Sequence, residues 1–421
     1  MQDTTIVAIA TPPGNSGVGI VRISGSKALR IAEKLTRKEL ASRVATLCKI
    51  LDDTALAIYF KAPHSFTGED IVEFQCHGGW LLLNKVVETA IKHGAVAATA
   101  GEFSRRAFLN GKISLDQAES IIEIINAESD AHLKYATRGI SEQIKTFEKS
   151  LAEISAQIEA GIEYPEENLD EIPNYRHAIQ KLTNEINTLL DTASTGEIIA
   201  NGVNVAVAGK PNVGKSSIFN ALLKADRSIV TEIAGTTTDT VTDSIQYNGV
   251  KIIFHDTAGL RDGCGKIEKL GIEKTRKAIE DCDVALVILD ITEPFDHEVL
   301  ELVGDKPKIV VYNKCDLQRR DDVFMVSAKT GEGIQAIKQK IYDLCVTTPP
   351  KSTMAIITNR RHATELRHAA NALLNCLASG ITLDCVAADV QTALRHVGNI
   401  TGTHASEAVL DEVFSRFCLG K

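Results

Sequence analysis

The chain has 421 residues, 44% apolar and 24% charged, with a formal net charge of −9. That length is too great for one core and predicts two or three domains of a soluble globular kind. The negative balance argues against wholesale electrostatic binding of nucleic acid and leaves room for a local basic patch. The opening "MQDTTIVAIATPPGNSG" has no basic region followed by an apolar run, so no signal peptide is expected. The longest apolar stretches, such as "VALVIL" at 284–289, are strand-length, so no membrane span is expected. Nine scattered cysteines without a CxxC pair suit reduced thiols in a cytoplasmic protein.

Residues 1–112 mix short β-type runs with glycine- and proline-rich turns, as in "TIVAIATPPGNSGVGIVRISG" and "TALAIYFKAPHSFTGEDIVEFQCHGG". An α/β domain with helices near 27–36 and 80–93 is predicted. At 113 the character changes. Ser114 and Gln117 make a capping-box start, and Leu115, Ala118, Ile122 and Ile125 fall on one face at helical spacing. Pro165 and the acidic run to Glu171 end that helical stretch, and a further helix over about 175–199 leads to Gly202.

From Asn204 onward "NVAVAG", "KIIFHD", "VALVILD", "KIVVYNK" and "VFMVSA" alternate with helical stretches, the pattern of a mostly parallel sheet covered on both faces. Asn248-Gly249 between alternating runs signals a hairpin on that sheet. After Pro349 and Pro350, helices are expected at about 353–379, 385–397 and 404–417. The predicted fold class is therefore multidomain, α/β plus all-α. A domain at 1–112 precedes a discontinuous helical domain, 113–201 and 346–421, with a Ras-like P-loop module inserted at 202–345.

"GKPNVGKS", Gly209 to Ser216, matches the phosphate-loop pattern and follows a predicted strand. Backbone N–H groups of Asn212, Val213, Gly214, Lys215, Ser216 and Ser217 would face phosphates, Lys215 would neutralise charge, and Ser216 would ligate Mg²⁺. "DTAG", Asp256, Thr257, Ala258 and Gly259, ends a strand where an acidic residue belongs near that loop. "NKCD" supplies Asn313, Lys314 and Asp316, whose carboxylate can accept from guanine N1–H and the 2-amino group; adenine would leave it unpaired. Ser327, Ala328 and Lys329 complete a base pocket. A lone NKxD is commonly a surface turn; four motifs in this order specify GTP.

In Ras-like enzymes a glutamine after DxxG orients the attacking water, and here Leu260 stands there. No arginine finger is evident. Thr231 to Asp239 offers threonines for Mg²⁺ and the γ-phosphate, and Asp262, Glu268 and Glu273 on a glycine- and charge-rich segment are candidates to position water.

Together "ATPPGNSGVGIVRISG", "SFTGEDIVEFQCHGG", "GEFSRRAFLNGK", "GKPNVGKSS", "AGTTTD", "DTAGLR", "GNITG" and "FCLGK" closely resemble the MnmE (TrmE) family of tRNA-modification GTPases over the whole chain. The resemblance implies a folate-binding-like N-terminal domain that forms a homodimer. It also implies work with the flavoprotein MnmG, in a heterotetramer, on C5 of the wobble uridine of certain tRNAs. The methylene carbon would come from 5,10-methylenetetrahydrofolate, for which 5-formyl-tetrahydrofolate is an analogue, and glycine or ammonia would supply the amine.

It further implies activation by pairing of two GTPase domains around K⁺, held by Asn212, Thr231, Ile233 and Thr236, within a nucleotide-contacting stretch that includes Glu232, Ala234 and Gly235. Thr237 would join Ser216 on Mg²⁺, and Glu268 aligns with the family's water-positioning glutamate. The folate site carries over to Arg22, Glu73, Lys112 and Lys421, and Cys418 is placed near the one-carbon donor, as a nucleophile or as a lining group. Gly420 and Lys421 fit a prenylation box poorly. The family's usual arginine in the switch motif is Thr238 here, and the segment between "VALVILD" and "NKCD" is short. The rival reading is a GTP-dependent ribosome-assembly factor, which shares the nucleotide motifs and lacks the folate-type N-terminus. A prenylated membrane switch would need polybasic residues before Cys418, and they are absent.

Overall fold

The computed structural model describes residues 4–163, 175–224, 243–256, 276–346 and 355–420. They fall into two units, one of 1–122, 141–169 and 383–421, the other of 123–140 and 170–382.

In the first unit, strands β1 (Ile6–Ile9), β2 (Ser16–Ser24), β3 (Thr46–Ile50), β4 (Asp53–Phe60), β5 (Ile71–Gly78) and β6 (Val96–Ala97) form one sheet in the order β3-β4-β5-β2-β1-β6. The pairings are antiparallel except β1 with β6. Strand side chains alternate between faces. Val21, Ile23, Val72 and Phe74 therefore share one face, buried with Ile31 of α1 (Ala28–Thr36) and Val86 of α2 (Trp80–Lys92). The intervening residues Arg22 and Glu73 share the opposite face and stand directly across from each other in the β2–β5 register. That is also the side of Ile6 and Ala8, which cluster with Phe103 of α3 (Glu102–Leu109).

The helical spacing from Ser114 resolves into three helices, because the chain breaks twice. The first, α4 (Leu115–Asn126), begins with Gln117 Oε1 accepting from the Ser114 N–H at 3.0 Å. Ser129 then caps α5 (Asp130–Arg138), which Gly139 ends at φ +61°, and α6 (Ser141–Glu163) follows. On α4, Leu115 and Ala118 are buried while Ile125 is exposed. Buried Ile144, Phe147, Leu151, Ile154 and Ile158 make a stripe along α6 at alternating spacings of three and four.

In the second unit, α7 (Tyr175–Leu190) and α8 (Ala193–Asn201) precede β7 (Val203–Ala208) and α9 (Lys215–Lys224). Then come β8 (Asp243–Tyr247), β9 (Val250–Asp256), β10 (Val284–Asp290), α10 (His297–Val303), β11 (Lys308–Asn313) and α11 (Ile334–Cys345). After 355 the chain is helical again, in α12 (Arg360–Asn375) of this unit and α13 (Leu383–Thr401) and α14 (Glu407–Ser415) of the first. On α13, Gln391 donates to Ser155 of α6 at 2.8 Å and Thr401 to Glu148 at 2.7 Å.

The second sheet runs β11-β10-β7-β9-β8, parallel except for the β8–β9 hairpin. All seven residues of β10 are buried because helices cover both faces. Leu286 and Ile288 pack with α9 and α11, while Ala285, Val287 and Leu289 pack with Ile279 and α10. The hairpin turn is Asn248-Gly249, at φ +49° and +79°, the left-handed pair that matches strand twist. Its strands carry Gln246, which donates to Glu128 O, and Lys251, which pairs with Glu128, while Gly249 lies against Ala131 of α5. "VFMVSA" runs beside β11 yet pairs with it in ladder fashion only at Tyr312–Met325. After Asn313, Lys314 takes left-handed backbone, φ +69°, and turns the chain out of register. Among the described residues no helix is long and apolar enough to cross a membrane.

Candidate functional site

At the end of β7 the chain turns through Gly209–Gly214 and enters α9 at Lys215. Asn212 is exposed and left-handed, φ +65°, a conformation asparagine tolerates. Gly214 is at φ +93°. A Cβ there would lie 2.2 Å from Asn313 Nδ2, so only glycine fits. Lys215 folds back into the loop, donating to the carbonyls of Gly209 and Lys210 at 2.7 Å each. Ser216 and Ser217 are exposed on the first turn of α9, where N–H groups are unsatisfied by the helix itself.

Asn313, 3% exposed at the end of β11, joins the loop to the base-pocket motif. Its Nδ2 donates to Val213 O at 2.9 Å, and its Oδ1 accepts from the Ala328 N–H at 3.2 Å. Ser327 is fully buried and donates to Asp316 Oδ1 at 2.7 Å, with Lys329 Nζ 4.0 Å from Oδ2. The Ser327 hydrogen bond holds the Asp316 carboxyl below its ordinary value, with Lys329 assisting against desolvation. Cys315 is buried, which pushes its thiol up and leaves it inert.

One group escaped the sequence reading. Asp290, closing β10, pairs with Lys314 and accepts from the Thr292 N–H at 2.9 Å and hydroxyl at 2.7 Å. Burial alone would raise its carboxyl; the bonds from Lys314 and Thr292 outweigh that and hold it below its ordinary value. A depressed carboxyl contributes stability that is present above the unfolded-state value, about 3.9, and lost as pH falls through the folded one. Urea midpoints followed downward from pH 6 should therefore drop more steeply in the wild type than in Asp290→Asn. Parallel slopes would remove Asp290 from this role.

Asp256 closes β9 opposite Val207, two residues before Gly209, and so stands next to the root of the loop. Among the described residues no group of three or more His, Cys, Asp or Glu is arranged to hold a metal. Among the described residues, the exposed Ser216 hydroxyl on the first turn of α9 is an oxygen donor of the kind that could hold Mg²⁺. Thr231–Thr238, Thr257–Gly259, Leu260, Asp262, Glu268, Glu273 and Lys421 lie outside the described residues.

In the first unit, Arg22 Nε donates to Glu73 Oε1 at 2.7 Å and Nη1 to Gly420 O at 3.1 Å. Its guanidinium carbon is 5.6 Å from the Phe103 ring centre and 6.0 Å from that of Phe66. Lys112 Nζ donates to Pro63 O at 2.9 Å, and the residue lines a cleft of about 530 Å³ with Lys145, Ser114, Gln117 and Gly402. Cys418 is exposed. Arg22 and Glu73 thus meet directly, whereas Lys112 is tied to the loop that carries Phe66. Alternation along β2 and β5 puts Arg22 and Glu73 on matching faces if the register is known; the aromatic pair left no local signal.

The family model described as MnmE helical domain matches residues 115–418, and that described as GTP-binding protein TrmE N-terminus matches residues 5–112. The tRNA modification GTPase MnmE of Carboxydothermus hydrogenoformans is 38% identical, covering 100% of both chains. The proteins of that name from Clostridioides difficile and Staphylococcus haemolyticus are each 36% identical over 100% of this chain and 99% and 100% of their own.

Proposed function

The chain belongs to the MnmE family of tRNA modification GTPases and is a GTP hydrolase, and we propose that it spends GTP on modifying C5 of a tRNA wobble uridine. The observation that carries the nucleotide half is the Asn313 bridge, which locks the phosphate loop to a carboxylate suited to guanine. Loop N–H groups and the start of α9 bind phosphate oxygens, Lys215 neutralises charge, and Asp316 reads the base edge. When bound, Mg²⁺ at Ser216 and Thr237 neutralises charge on the phosphates. Residues 1–112 form the folate and dimerisation domain, 113–201 with 346–421 the helical domain, and 202–345 the GTPase domain.

With no glutamine after DxxG, Asn212, Thr231, Ile233 and Thr236 would hold a K⁺ ion as two GTPase domains pair, the ion would supply positive charge at the phosphates, and Glu268 would position the attacking water. Folate occupies the Arg22, Glu73, Lys112 and Lys421 region, supported by the Arg22–Glu73 pairing beside two aromatic rings. MnmG is the partner in a heterotetramer, tRNA the substrate, and the cytoplasm the location. Turnover of GTP should fall by about a hundredfold when Na⁺ replaces K⁺, the scale of losing one preorganised charge-stabilising group. Asn212→Ala should show the same loss in K⁺. Equal turnover in the two salts would remove the cation from the mechanism.

A further inference from the structure

Arg22 touches more than a ligand would require. Glu73 is its direct cross-strand neighbour, so the 2.7 Å ion pair orients the guanidinium from within the sheet. The closing segment then comes down onto it. Phe417 is buried with Phe414 and Leu115, which anchors the chain up to that point. Beyond it Cys418 and Leu419 are exposed, whereas Gly420 is buried at φ +88°. A Cβ on Gly420 would lie 2.3 Å from Ile9 O, so the segment is fitted closely to β1. Its carbonyl accepts from Arg22 Nη1 at 3.1 Å.

We propose that Arg22 is a positioning residue that latches the 418–420 segment onto the sheet, with Glu73 as its strut, so that segment docking and ligand binding at the guanidinium are cooperative. The guanidinium has five N–H donors in a rigid fork. Two are engaged by described residues, and among those residues the other three have no acceptor and can serve one on a ligand. A ligand that meets the same plate finds it already held by Glu73, with the Phe66 and Phe103 ring centres 6.0 and 5.6 Å from its carbon, and bonded to the docked segment through Gly420 O. Whatever the segment adds to ligand affinity, the ligand must return to segment docking by the same factor. The ligand half of this inference rests on the folate reading; the latch does not.

The test uses the full chain with Cys385→Ser and Cys264→Ser, and a nitroxide label on Cys418. Cys345 is half-buried and burial pushes its thiol up to about 11, so it competes poorly for label. Arg22→Lys keeps the charge and loses the fork. Gly420→Ala evicts the segment while leaving Arg22 and Glu73 intact. Both should convert most of the immobilised electron-spin-resonance signal to a mobile one. In Gly420→Ala the dissociation constant for 5-formyl-tetrahydrofolate should rise at least about tenfold, the usual scale of one coupling between sites. Adding that ligand to the labelled parent should reduce any mobile fraction.

Unchanged spectra in both variants would overturn the latch. A mobile segment with unaltered ligand affinity in Gly420→Ala would overturn the cooperativity. A parent chain that binds no folate but loosens in both variants would sink the folate reading and uphold the latch.

Discussion

Gly214→Ala should lower affinity for GTP and GDP by about a thousandfold while leaving the fold intact. Two costs combine. Residue 214 sits at φ +93°, which an L side chain resists, and the new methyl would stand 2.2 Å from Asn313 Nδ2. The Asn313 amide must then leave Val213 O or the Ala328 N–H, and a buried polar group without its partner costs about 1–3 kcal/mol. Strain plus one or two lost partners comes to about 4 kcal/mol, or about three decades of affinity. Asn313→Ala should reproduce much of the loss by deleting the same amide. Because the two changes act through one contact, the double variant should be no weaker than the worse single one, which titration calorimetry on all four proteins would show. Full additivity, or a Gly214→Ala chain within threefold of wild type, would refute the bridge.

Asp316→Asn should lower GTP affinity by about a hundred- to thousandfold and shift preference toward xanthosine triphosphate. A carboxylate offers only acceptors, matched to the N1–H and 2-amino donors of guanine, and the Ser327 hydroxyl helps keep it ionised. An asparagine amide presents one donor and one acceptor, the complement of xanthine's C2 carbonyl and N1–H. Competition among GTP, XTP and ATP for a fluorescent nucleotide would measure the switch. Retention of wild-type GTP preference would mean that another group reads the base.

The legible features were those written locally. Asn248-Gly249 announced its hairpin because that turn needs two left-handed residues in succession. The unbroken apolar run of β10 announced a strand covered on both faces. The breaks at 127–129 and 139–140 were harder to see, because apolar spacing carries on through them while Ser129 and Gly139 quietly set the limits of α5. "VFMVSA" has strand composition, but the turn at Lys314 leaves it little of β11 to pair with. In the nucleotide site each motif could be read by itself. The contact that makes them one device, Asn313 to Val213, spans 100 residues, and that from Arg22 to Gly420 spans 398. No spacing rule reports contacts at such separations, since they exist only once two sheets have chosen their registers.

The docking of α5 on the β8–β9 hairpin bears on how this protein can be dissected. A fragment excised at the sequence boundary near 202 would carry the whole second sheet but leave behind Glu128 and Ala131, the groups that meet Gln246, Lys251 and Gly249. Its β8–β9 hairpin would then lose all three of those contacts, and Lys251 would be left without its carboxylate partner. The compact unit that carries the nucleotide motifs is thus stitched from two stretches of chain, 123–140 and 170–382, and a gene-level truncation that respects the motifs would still cut through its hem.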